Sequence, residues 1–465
     1  MNFPFGKAPL AILVTTIVSA AMLLLMGLFR NESEQPDLSM TVFSGEHYRA
    51  YLKAMPKFEE KHGVKVQLRH TDSRALQSRL QAAMQAGIDD VPDLVELERD
   101  AIGFWLRGRL EEMKFVDLTD RIAAEGLDKR MVESRFSMWS KEGRKFGLPH
   151  DVHPVGLIYR RDLIEQWGID VNAIETWDDF IEMAKLIPKY KDDTDNVRDH
   201  YALQMDIQNG QVFELLMLQK GISIFDDQGN PQFDNEETVD LIEWYIRNSH
   251  GEDGIGYATG GVRKGQDLVK SLTEGLVLFF FAPDWFTKKM SYDAPSMHGN
   301  LAIMPLPAWE KGGRRTSVQG GTGLFITTHC EDRGKLDLAW ELAKYLYTNE
   351  ESLTELFEES NILPPLMDIW DHPAYRQPNS YYSNQKLGEF LIKLAPQTPP
   401  NYINAFYTGA KQQIQGVLAN AALYYMERGE EGFREYVSQQ LKTQTQILQR
   451  EIDHNVFLKR PSQNS

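Results

Sequence analysis

Cysteine is almost missing: the 465 residues contain one, Cys330. That excludes a disulfide framework and a cysteine-based zinc site. No cysteine stands near the N-terminus to carry a lipid. Cys330 follows the apolar run Leu324-Phe325-Ile326, which predicts burial as a small hydrophobe. Positive charge is also scarce. The 50 Lys and Arg against 67 Asp and Glu give a net charge of −17, with no basic excess for nucleic-acid phosphates. The acids are scattered, so their plain role is solubility. Catalytic and nucleotide motifs are missing too. There is no GxxxxGK[ST] and no GxGxxG, and Gly320-Gly321-x-Gly323 precedes a strand-like run, the wrong order for a dinucleotide site. There is no GxSxG and no HExxH. No catalytic residue, cofactor or metal is therefore expected. Internal repeats and low-complexity tracts are absent as well.

What is present begins with one long uncharged run. From Ala8 to Phe29 no residue is charged, 22 positions, enough to span a bilayer core as a helix. Lys7 precedes it, and Arg30, Glu32, Glu34 and Asp37 follow, a weak positive bias that places the large domain outside the cytoplasm. Ser19-Ala20-Ala21 has the small residues of a cleavage site, but cutting there would leave Met22-Leu23-Leu24-Leu25-Met26 as a greasy start. Residues 1–37 are read as an anchor or signal segment plus linker, the anchor preferred.

The chain beyond it is too long for one small core, and two lobes of roughly 200 residues each fit the length. Met40-Thr41-Val42-Phe43 reads as a strand. Tyr48, Tyr51, Leu52, Met55 and Phe58 have helical spacing, and Gly63 stops the helix. Val64 to Leu68 alternates as a strand does, residues 73–86 are helical, and Leu94-Val95 opens a third strand. Alternation of β and α implies an α/β fold with a mostly parallel sheet flanked by helices. In such sheets the ligand crevice lies beyond the carboxyl ends of the strands. That rule singles out Ser44, Gly45, Glu46 and His47, then Thr71 and Asp72, then Glu96, Glu98 and Asp100. Further on, Thr176 caps a helix running to about Ile187, and residues 211–220, 236–247 and 265–273 look helical. Leu276–Phe281 and Leu301–Leu306 read as strands. Gly147 to Tyr159 reads as a crossing between lobes, its short strand flanked by glycine and proline.

Two constellations invite chemistry and are weighed down by geometry. Glu96 and Glu98 lie two apart on a strand, on one face, too close to flank a glycosidic bond from both sides. His150-x-x-His153 with Asp151 has the residue types of a metal site, but an isolated loop triplet is read as ligand contact or packing. Loop aromatics say more. Trp285, Trp309, Phe406 and Tyr407 sit beside polar or proline-containing turns, and aromatic faces suit the C–H faces of sugars.

Several segments, in order, resemble the extracellular solute-binding proteins of sugar ABC importers, the maltose-binding-protein-like family. Pro92-Asp93-Leu94-Val95 resembles the family's PD(V/I)(V/I) strand. Gly147-Leu148-Pro149 through Tyr159 to Leu163 is similar to its GlP…lyYnkdl segment, and Thr176 to Phe180 to its TWdef helix start. Gly275 to Trp285 resembles its strand-and-tryptophan segment, Gly320-Gly321 its return crossing, and Asn361 to Pro364 the close of the helix after it. The resemblance implies a periplasmic-binding-protein fold of two α/β lobes, each a mixed, mostly parallel sheet with flanking helices, and a hinge between them. Lobe 1 would hold 38–149 and 320–368, and lobe 2 would hold 150–319 and 369–465. It implies Trp285 as a stacking platform, Phe406 and Tyr407 as a second, and Glu46, Glu98, Asp100 and His153 as polar contacts beside Ser44, His47, Asp72 and Gly321. The expected function is capture of a sugar or oligosaccharide by hinge closure, as a monomer, for the permease subunits of an importer, without catalysis. The anchor motivates one alternative, a membrane-tethered sugar-sensing receptor for a signalling partner.

Overall fold

The computed structural model describes residues 16, 36–86, 90–189, 198–207, 210–259 and 266–455. Among the described residues no helix is long and apolar enough to cross a membrane. The span expected at 8–29 lies, apart from Thr16, outside them.

The chain builds one sheet, leaves it, builds a second, and returns. Strands β1 (Leu38–Val42), β2 (Val66–His70) and β3 (Leu94–Glu98) alternate with helices Gly45–His62 and Ser73–Ala86. β1 pairs in parallel with both neighbours, Met40 opposite Leu68 and Leu94. Every β1 residue is buried, because helices cover both faces of a central strand. β2 lies at the sheet edge, carries Arg69 and His70, and is largely exposed. Gly63 ends the first helix in the left-handed conformation, φ 65°, its N–H bonded to Glu59 O.

A small hairpin, β4 (Ser140–Lys141) and β5 (Arg144–Lys145), precedes β6 (Gly147–Pro149). The chain then crosses at His150–Pro154. β7 (Val155–Arg160), β8 (Tyr201–Asp206), β9 (Gly256–Thr259), β10 (Val277–Pro283) and β11 (Leu301–Pro305) form the second sheet, in the order β11-β7-β10-β8-β9. This sheet is mixed: β7 runs antiparallel to β10 and β11, while β8 is parallel to β10 and β9. The return runs to β12 (Thr322–Ile326), antiparallel to β3 and β6, which completes the first sheet as β2-β1-β3-β12-β6. The periplasmic-binding-protein fold expected from the sequence is the one observed, but among the described residues each sheet is evenly mixed, with two parallel and two antiparallel pairings, where mostly parallel sheets were expected.

Three crossing segments lie side by side. Pro154 bridges to Val318, Thr316 Oγ1 donates to Val155 O at 2.9 Å, and Val152 N donates to Leu363 O at 3.0 Å. Helices Leu336–Thr348 and Glu350–Ser360 sit against Gly45–His62, with Tyr345 Oη donating to Ala54 O at 3.1 Å. The last two described helices, Tyr407–Arg428 and Phe433–Asp453, pack on Glu236–His250, where Arg434 meets Glu243 at 2.8 Å. Cys330 is fully buried, and burial pushes its thiol up to about 12. The helix expected to reach Ile187 is Trp177–Ala184. Its start carries a capping box: Thr176 Oγ1 accepts from Asp179 N at 3.2 Å, and Asp179 Oδ2 accepts from Thr176 N at 2.8 Å. Thr176→Ala is expected to cost about 1 kcal/mol in urea unfolding, and Thr176→Ser much less.

Candidate functional site

The seam between the lobes is organised around one buried carboxylate. β10 ends at Pro283, and Asp284 begins the next helix with no exposure. Asp284 Oδ1 accepts from Trp285 N at 2.7 Å and lies 2.6 Å from His153 Nδ1, while Oδ2 accepts from Leu363 N at 2.8 Å. One side chain thus joins the helix start to the first and third crossings. On its far side, His153 Nε2 lies 3.1 Å from Asp151 Oδ2. Burial opposes the imidazolium, but the two carboxylates prevail and push His153 up to about 9. Asp151 is held well below the usual carboxylate range against its own burial, chiefly by His153. It also accepts from Thr322 N at 2.9 Å, and its backbone oxygen accepts from Arg135 Nε at 3.0 Å. His153 itself has φ 55°, an uncommon backbone for a non-glycine residue, at the point where the chain changes lobes.

Trp285 stands beside this cluster, half-buried, its Nε1 donating to Gln319 O at 3.3 Å. The second crossing fits here because Gly320 has no side chain. At φ 95°, a Cβ would lie 3.2 Å from His153 Cδ2 and 3.4 Å from Trp285 Nε1. Its neighbour Gly321 presses on Met138, which a Cβ would approach to 2.7 Å, and accepts from Arg99 N at 2.9 Å.

Arg99 leads to a second cluster. It follows β3 directly, and its Nη1 lies 2.9 Å from Glu214 Oε1, on a helix (Gln211–Lys220) packed with the second sheet. Both side chains are nearly without solvent exposure. Lys411 Nζ approaches Glu214 Oε2 at 3.2 Å and Asp100 Oδ1 at 3.5 Å. Tyr407 donates its hydroxyl to Glu214 and accepts from Asn401 Nδ2 at 3.0 Å. Burial opposes both charges of the pair, yet Glu214 raises Arg99 above its ordinary value, and Arg99 with Lys411 holds Glu214 below the usual carboxylate range. Asp100 is lowered as well, burial opposing and Arg99 favouring its charge.

The other residues expected at the site are spread along the first lobe. Ser44 caps Gly45–His62, accepting from His47 N at 3.3 Å, and donates to the exposed Glu46 at 3.0 Å. Asp72 is exposed and caps Ser73–Ala86, accepting from Arg74 N at 3.0 Å. Glu98 accepts from Ser73 Oγ. His47 is buried, its Nδ1 2.8 Å from Glu96 Oε2. Phe406 is half-buried and lines an interlobe cavity of about 160 Å³ with Phe225, Tyr402 and Leu106. Tyr407 offers no open ring: it is 1% exposed and its hydroxyl is taken, so in this structure it packs where a stacking platform was expected. Trp309 rests against Trp177 and Trp244 inside the second lobe. Asp284, Arg99, Glu214 and Lys411 were not singled out from the sequence, and Asp151 was noted only with His150 and His153 as an isolated loop triplet. Glu214 had a signal, as an acid inside the otherwise apolar Val212 to Leu218.

Two lobes, three crossings and a tryptophan at their junction agree with the sequence comparison. The sequence model described as bacterial extracellular solute-binding protein matches residues 44–352, most of the chain. The chain belongs to this family. Among curated members it is similar to the arabinooligosaccharide-binding protein of Halalkalibacterium halodurans, 25% identical over 363 residues, 77% of each chain. It is also similar to the lactose-binding protein of Rhizobium radiobacter, 23% identical, covering 70% of this chain and 73% of that one. Among solved structures it shares the fold of the sugar-binding protein MalE from Xanthomonas citri, with TM-score 0.71 at 17% identity, covering 89% of this chain and 98% of that one.

Proposed function

We propose that this chain captures a sugar or oligosaccharide between its lobes and presents it, closed, to the permease subunits of an ABC importer outside the cytoplasm. The observation that carries the sugar reading is Trp285, a partly exposed aromatic residue at the seam whose Nε1 donates to Gln319 O and whose backbone N donates to Asp284. A ring so placed suits the apolar face of a pyranose or furanose, while carboxylates and amides nearby suit its hydroxyls. Curated relatives bearing arabinooligosaccharide-, lactose- and maltotriose-binding names favour the same class. Closure would pivot on the crossings that Asp284 joins. Capture breaks no covalent bond, so no sugar release is expected on incubation with glycosides.

The test is a thermal-shift screen of the full chain against arabino-oligosaccharides, lactose and malto-oligosaccharides. A solute held at a hundred times its dissociation constant adds about 2.7 kcal/mol of stability. Trp285→Ala is expected to remove that shift from a chain that still folds, with some loss of unliganded stability because the ring is partly buried. A screen in which no saccharide moves the wild type rejects the sugar reading.

A further inference from the structure

Behind the seam, where the first lobe meets the first crossing, lies a buried group that the capture mechanism does not use. His47 on the helix after β1, Glu96 in β3 and His150 at the root of the first crossing are 2%, 0% and 1% exposed. One donor atom from each lies within 4.8 Å of the other two. The carboxylate is oriented by two phenols: Tyr51 and Tyr347 donate to Glu96 Oε1 at 2.6 and 2.8 Å, leaving Oε2 toward His47. Neither nitrogen of His150 has a hydrogen-bond partner, and its Nδ1 lies 3.5 Å from Asp151 Oδ2. Buried polar atoms are seldom left so. A buried ring with both nitrogens unpaired, one of them 3.5 Å from a carboxylate and a second imidazole 3.9 Å away between centroids, has the residue types of a metal-ligating histidine with its outer carboxylate.

We propose that His47, Glu96 and His150 hold a divalent transition metal, zinc by its donor set of two imidazoles and one carboxylate. Tyr51, Tyr347 and Asp151 form the outer layer. Donors on a tetrahedral zinc stand roughly 3.3 Å apart, given metal–nitrogen distances of about 2.0–2.1 Å. The rings, now 3.9 Å between centroids and 31° apart in plane, turn about their own side-chain bonds to meet it. The ion would tie the first crossing to β3 and to the helix after β1, and so stiffen the fixed end of the hinge. This inference stands apart from the identity of the solute.

The full chain, stripped with a chelator and desalted, is titrated with zinc chloride alone. Expected are one zinc per chain retained through gel filtration, a raised melting temperature, and at least tenfold weaker zinc binding in both His150→Asn and His47→Gln. Zinc that is not retained, or is retained equally by the folded variants, overturns the proposal, since exposed histidines then account for it. If neither variant folds, cobalt-loaded wild type decides. An intense four- or five-coordinate visible spectrum with two imidazole ligands by paramagnetic resonance supports the site, and a six-coordinate aqua-ion spectrum overturns it.

Discussion

Replacing Glu214 with alanine is expected to destabilise the fold by about 3–5 kcal/mol, because it strands a buried guanidinium. Arg99 has 7% side-chain exposure and faces Glu214 at 2.9 Å. Its other carboxylate, Asp100 at 3.3 Å, is half in solvent and already shared with Lys411. The Tyr407 hydroxyl loses its acceptor at the same time. Removing both charges is expected to cost much less than removing one, so Arg99→Met with Glu214→Leu recovers most of the loss. Urea unfolding of Arg99→Met, Glu214→Leu and the double closes the cycle, compared at equal slope. The pair joins the end of β3 to a helix of the other lobe, so the result also reports on shape in solution. A loss under about 1 kcal/mol is the behaviour of a solvated pair. It would mean that the unliganded lobes stand apart and that Arg99 and Glu214 meet only on closure.

The first hundred residues were easy to read because their periodicities alternate cleanly. Met40 to Phe43 is a short apolar run, Tyr48 to Phe58 repeats every three or four residues, and Gly63 supplies the one backbone conformation that ends the helix there. β10 and β11 were legible from apolar composition, since both are covered on two sides. β8 and β9 were not. Tyr201–Asp206 mixes Gln and Asp into its pattern and follows a charged stretch, and Gly256–Thr259 is four residues long. Partnership in the sheet makes them strands, and partnership is not local. The same limit applies to the seam. Trp285 and His153 stand out as residue types in loops, but their meeting at Gly320 depends on crossings 131 and more residues apart. Arg99 and Glu214 are 115 residues apart, and nothing at either position names the other. Tyr407 shows the converse: an aromatic residue after prolines reads as a loop platform until the helix it begins turns the ring inward.

His153 gives the second large effect, and its direction follows from its surroundings. The imidazole lies between Asp151 and Asp284, and its protonated form can donate to both at once. Unfolded, a histidine titrates near 6.5, and in the folded chain His153 is pushed up to about 9. A group whose value rises on folding stabilises most where it is protonated in both states. The contribution is therefore complete below about pH 6.5 and fades as pH rises through about 9. Its full size is about 3 kcal/mol, since each unit corresponds to about 1.4 kcal/mol. Wild type is thus expected to lose stability on going from pH 6.5 to 9.5, read by urea midpoints at fixed ionic strength. His153→Gln keeps a donor but cannot titrate. It is expected to be less stable at pH 6 and to show little of that slope. A variant with the same alkaline slope as wild type would place the titration elsewhere. If the slope does belong to His153, the charge holding the first crossing to the helix of Trp285 weakens in alkali, so solute affinity is expected to fall over the same interval as stability.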